Sequence, residues 1–253
     1  MRPDFAAARA GLSYVLFATN KHDEATAEAV RAEQGDLDAD AHFLLARVRL
    51  LFGDPPGALK HLDASVKLAP DFAPAHLLRS QTLVRWRTQS PGRPSGPPDK
   101  ETALALQRAA AERMAEAAAS LETYLRLNPR GPDADLWRGQ LESLRHYAQL
   151  AREAEGRELF GGREVTKKAV ITFKPEPEFT PEARERGVSG VVRLRLTLAA
   201  DGTVKHVLVL EGLPHGLTEK AVSAARKIKF VPAEFGGRPV STPVVVEYTF
   251  HVY

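Results

Sequence analysis

Apolar residues change their period late in the chain. Up to about residue 155 they recur every three to four positions, the spacing of helices that bury one face. After Val165 alternation becomes common. From Val191 to Ala199, Val192, Leu194, Leu196 and Leu198 share one face while Arg193, Arg195 and Thr197 share the other, the pattern of a half-solvated strand. Asp201-Gly202 supplies the positive dihedral of a tight hairpin turn, and Val204 to Glu211 returns as a second strand. Thr218 is the expected N-cap of a short helix with Glu219 in its first turn. Its apolar stripe is Leu217, Ala221, Ala224, Ala225 and Ile228, with Lys227 and Lys229 at the negative end of the dipole. A last strand follows, with Val244, Val246, Tyr248, Phe250 and Val252 on one face and Val245, Glu247, Thr249, His251 and Tyr253 on the other. Strand, strand, helix, strand predicts a three-stranded antiparallel sheet packed on a helix.

The helical part repeats itself. Ala41-His42-Phe43-Leu44-Leu45 recurs as Ala75-His76-Leu77-Leu78, an offset of 34 residues, and this part of the chain resembles a tetratricopeptide-like solenoid. In the unit from Ala39 to Phe72, small Ala46 and Ala58 let two helices approach, Gly53 separates them, Leu62 and Ser65 face inward, and Pro70 ends the second helix. A looser unit runs from Ala6 to Asp38. A third opens at Ala73 and closes with Ala117, Leu121, Tyr124, Leu127 and Pro129, interrupted by a Pro/Gly-rich loop at about 88–99 that cannot be helical. Leu136, Trp137, Leu141, Leu144, Tyr147 and Leu150 are expected on a helix capping the last repeat. The predicted organisation is α+β in two domains: an all-α repeat domain at 1–155, a linker at 156–164 punctuated by Gly156, Gly161 and Gly162, and a sheet domain at 165–253.

Charge and composition narrow the function. The 35 basic and 32 acidic residues nearly balance, so the net charge of +3 gives no basic stripe for nucleic acid. Without cysteine there is no disulfide and no thiolate metal site. The histidines, among them His42, His76, His206 and His251, show no metal-ligand or nucleophile spacing, and phosphate loops and nucleophile elbows are missing from the sequence. No cofactor is expected, and binding rather than catalysis is the expected mode of action. The apolar stretch from Gly11 to Ala18 is far short of the roughly 18 to 20 residues of a membrane span, and no secretion signal is visible.

Pro177, Phe179, Ala183, Gly187, Gly190, Val191, the Asp201-Gly202 turn, Val204, Leu217, Ala221, Phe230-x-Pro232-Ala233, Gly237 and Val240 together resemble the TonB C-terminal domain family. Phe179-Thr180-Pro181 stands where the family has Tyr-Pro. The resemblance implies a periplasmic domain of a Gram-negative envelope, an energy transducer or adaptor that grips the N-terminal peptide of an outer-membrane TonB-dependent transporter by strand addition. It also implies inner-membrane motor proteins as further partners if an anchor lies upstream. The last strand does the gripping in the family, which points to Val244, Val245, Val246, Glu247, Tyr248, Thr249 and Phe250, with Pro243 limiting pairing at the strand start. Phe173 and Lys174 match a second peptide-contact region.

The family's membrane helix and proline-rich spacer are replaced here by repeats. Pro3-Asp4-Phe5 echoes the repeat end Pro70-Asp71-Phe72, so the expectation is that further coding sequence precedes Met1. The alternative reading is a soluble repeat scaffold whose TonB-like domain binds a protein partner without energy coupling.

Overall fold

The structure is a computed structural model that describes residues 4–89, 100–131, 133–153 and 165–252. The expected loop beyond residue 89, the linker at 156–164 and the start of the Pro3 triplet lie outside the described residues. The chain has an α+β layout in two compact units, one formed by Met1–Gln89 with Glu116–Gly131, the other by Ser90–Ala115 with Pro132–Tyr253.

The first unit contains α1 (Asp4–Ala18), α2 (His22–Glu33), α3 (Ala39–Leu51), α4 (Pro55–Leu68), α5 (Ala73–Gln89) and the later turns of α6 (Lys100–Leu127). Short connections make α1/α2 and α3/α4 antiparallel pairs. Each pair carries a serine at its crossing: Ser13 Oγ donates to the Ala25 carbonyl at 2.6 Å and Ser65 Oγ to the Ala39 carbonyl at 2.8 Å, so the buried hydroxyls are satisfied while the backbones stay close. Ala46 and Ala58 are fully buried, as small residues at a seam should be. Asp38 caps α3 through the Ala41 amide, and Asp54 caps α4 through the Gly57 amide, with Pro55 at the first helical position. Gly53 takes φ 72 in the turn between them, a conformation glycine adopts without steric cost. Arg79 donates to Asp63 at 2.7 Å and to Ser120 at 2.8 Å, joining α4, α5 and α6.

The second unit is built from α7 (Ala134–Glu153), β1 (Val170–Phe173), α8 (Pro181–Glu185), β2 (Gly190–Leu198), β3 (Val204–Glu211), α9 (Leu217–Ala225), β4 (Lys229–Val231), β5 (Ala233–Phe235), β6 (Arg238–Val240) and β7 (Thr242–Phe250). Its main sheet is antiparallel in the order β3-β2-β7, and β1/β4 and β5/β6 form separate two-stranded ribbons. Val192, Leu194, Leu196 and Leu198 are buried against α9, where Leu217, Ala221, Val222, Ala224 and Ala225 complete one core with Val246, Tyr248 and Phe250. Each fully buried apolar side chain contributes about 1.5–3 kcal/mol, so the four on β2 anchor the domain.

Three expectations are corrected. α9 begins two residues early, after Gly216 at φ 79, so Thr218 is inside the helix; its Oγ1 donates to the Leu213 carbonyl at 2.8 Å and accepts from the Leu213 amide at 2.9 Å, pinning the preceding loop. Lys227 and Lys229 fall beyond the helix end at Ala225. The polar face of β2 is not freely solvated: Thr197 is buried, Arg195 lies with its guanidinium 4.4 Å from the centre of the Tyr147 ring, and Arg193 is in ion pairs. Finally, α7, expected as a cap over the last repeat, belongs to the sheet unit and packs on β3, with Leu136 joining the sheet core. A polar-looking strand face and an amphipathic helix are incomplete alone, and here they complete each other.

Candidate functional site

β7 lies at the rim of the main sheet. It pairs with β2 from Gly190↔Phe250 through Leu198↔Thr242, and among the described residues no strand pairs along its other side. Its side chains alternate as the sequence pattern requires: Thr242, Val246, Tyr248 and Phe250 are buried, whereas Pro243, Val245, Glu247 and Thr249 are exposed. Val244 is partly buried against the core, and Val252 lies beyond the strand end. The seven expected site residues Val244 to Phe250 therefore share one uninterrupted strand.

Lys174 reaches this strand from the other side. Its ammonium donates to the Glu247 carbonyl at 2.7 Å and sits 4.7 Å from the centre of the Tyr248 ring. That contact places the Glu247 carbonyl on the outer side of the strand. Because backbone groups alternate in direction along a strand, Pro243, Val245 and Thr249 present theirs the same way. Pro243 consequently lacks its amide on the outer side, where no ladder bond is lost. Phe173 is not brought to β7 by any direct pairing; it registers with Lys229 on β4, next to a bulge, and is 53% exposed.

The face of β7 away from α9 carries a charge ladder across all three strands. Arg193 on β2 donates to Glu247 at 2.8 Å and lies 3.7 Å from Glu211 on β3, each its register partner. On the core side, the Tyr248 ring is buried and its hydroxyl finds no hydrogen-bond partner among the described residues, and desolvation pushes the phenol up to about 12. It therefore stays protonated and neutral at physiological pH.

The opposite rim, β3, is bonded by α7. Gln140, Ser143 and Tyr147 come to it from one helix face. Gln140 Nε2 donates to the Val207 carbonyl at 3.0 Å and Gln140 Oε1 accepts from the Val209 amide at 2.6 Å. Tyr147 donates to the His206 carbonyl at 3.0 Å, where a bulge puts His206 at φ 50. The His206 ring stacks on His146 with centroids 3.5 Å apart. Burial, and then the Lys205 ammonium, hold the His206 imidazole below its ordinary proton affinity, and burial raises the Tyr147 phenol against the pull of Thr197. Sequence reasoning missed these residues. The available signal was two polar residues, Gln140 and Ser143, inside the apolar stripe of α7.

Among the described residues no cluster of His, Cys, Asp or Glu could hold a metal ion, and no helix is long and apolar enough to cross a membrane. Residues 175–252 match the family model described as Gram-negative bacterial TonB protein C-terminal. Among solved structures, a solution NMR structure of the Pseudomonas aeruginosa TonB CTD is similar at 24% identity, covering 34% of this chain and 87% of that chain, with a TM-score of 0.30. No curated protein matches the chain.

Proposed function

From the TonB-type C-terminal domain formed by residues 175–252, we propose that this chain works as a TonB-like transducer or adaptor that takes up an extended peptide along the outer side of β7. The observation that supports the reading is that, among the described residues, β7 pairs on one side only. The incoming strand bonds to the outward backbone groups of Val245, Glu247 and Thr249, which makes recognition tolerant of the peptide's side chains. Val245, 53% exposed, supplies an apolar contact. Lys174 swings from the Glu247 carbonyl to the peptide, where it meets a carbonyl or carboxylate, and Phe173 is the second contact.

The partner is the N-terminal peptide of an outer-membrane TonB-dependent transporter, met on the periplasmic side of a Gram-negative envelope. The domain acts by binding, and its pull supports transmembrane transport when the chain is coupled to inner-membrane motor proteins. The test is titration of the full chain with synthetic transporter N-terminal peptides from the same organism, followed by amide exchange. New protection at Val245, Glu247 and Thr249 is the expected result. The absence of binding to every peptide would discard the reading in favour of a scaffold in which the antiparallel helix pairs dock one protein and the sheet domain another.

A further inference from the structure

Gln140 is 5% exposed in the middle of a helix, and a buried side-chain amide is costly unless both of its ends are bonded. Both ends are bonded, and to strand backbone: the Val207 carbonyl and the Val209 amide are the groups that a neighbouring strand would take. A glutamine side-chain amide offers the same donor and acceptor as a peptide unit. The Ser143 hydroxyl, which donates to its own helix at the Gly139 carbonyl at 2.8 Å, lies 3.3 Å from the same Val207 carbonyl, and Tyr147 holds the His206 carbonyl beside it. Gln140, Ser143 and Tyr147 fall at i, i+3 and i+7, one face of α7, and all three are buried. Backbone groups of His206, Val207 and Val209 on β3 are thus satisfied by side chains of a helix, where a strand would otherwise supply its backbone.

We infer that α7 is a strand surrogate which closes the β3 edge, and that the occupant it excludes is β3 of a second copy of this chain. An unpaired edge is a template for another strand, and two identical edges can pair antiparallel about a two-fold axis. With β3 closed, β7 is the edge of the sheet left open among the described residues. Gln140 and Tyr147 are positioning residues in this arrangement. The inference concerns self-association and stands whether or not β7 binds a transporter peptide.

The test compares the full chain with two variants. Gln140→Met combined with Tyr147→Phe keeps the packed volume and removes the amide and hydroxyl bonds. Its weight-average mass in sedimentation equilibrium is expected to rise with concentration toward twice that of the parent chain at matched concentration, with the Val209 amide protected from exchange in the dimer. Gln140→Glu keeps an acceptor for the Val209 amide but removes the donor to the Val207 carbonyl and sets a buried charge against it; it is expected to associate more than the parent and less than the double variant. A double variant with the parent's mass at every concentration, or a dimer whose Val209 amide exchanges freely, overturns the inference.

Discussion

The two rims of the main sheet have the same kind of backbone and opposite surroundings. β3 and β7 both flank β2, and both send apolar side chains into the core with α9. On β3 the outward groups of His206, Val207 and Val209 are held by Tyr147 and Gln140 from a buried helix face. On β7 the outward Glu247 carbonyl is held by a lysine from an exposed position. Availability for pairing depends on how much desolvated packing lies behind the contact: a buried amide clamp is hard to displace, whereas an exposed lysine exchanges readily with water.

The largest expected effect comes from breaking the closed rim. Tyr147→Ala removes a buried ring that covers Arg195 and bonds the His206 carbonyl, and should cost about 3–5 kcal/mol in urea unfolding of the full chain. A loss under about 1 kcal/mol would mean that α7 contributes little to the sheet unit. Next, Val245→Pro removes an outward amide from β7 while leaving its bonds to β2 intact, as Pro243 already does. Peptide affinity should fall at least tenfold, about 1.4 kcal/mol, with unfolding little changed; equal binding by calorimetry would move the peptide off this edge.

A smaller effect is set by pH at the α7–β3 seam. The His206 proton affinity is lowered in the fold, so its stability contribution is complete above the unfolded value of about 6.5 and is lost as pH falls from there through the folded value. The groups that set this are the burial itself, Lys205, which disfavours the proton, and Glu142, which favours it. His206→Asn, which tolerates the positive φ, should flatten the stability profile between about pH 7 and pH 5. An unchanged profile would assign that slope to other groups. Smallest of all, Lys174→Met should weaken peptide binding by a few-fold, about 0.5–1 kcal/mol, without moving the melting midpoint. Tighter binding would instead make Lys174 a competitor for the Glu247 carbonyl.

Much of the sheet domain was legible from side-chain period alone. Period-two alternation located β2 and β3 to within a residue and β7 to within three, because a strand with one buried face leaves no other register open. Asp201-Gly202 marked the hairpin, and the Asp201 carboxyl is held well below its ordinary range by Lys205 and Thr203 across that turn. The caps of α3 and α4 were less visible, and α9 started earlier than Thr218 suggested, since a left-handed Gly216 can begin a helix without a side-chain cap.

Side-chain pattern was enough to place the repeat helices, β2, β3, β7 and the body of α9, and to say which face of each of those strands is buried, but it gave no sign of the short ribbons β1/β4 and β5/β6. Folding in three dimensions was needed to show that α7 sits on β3, that Arg195 and Thr197 are covered, and that Lys174 meets Glu247 across 73 residues of chain. The reason is physical. Local pattern fixes how a segment buries its own side chains, but which backbone edge stays open depends on groups far away in the chain that bond to it.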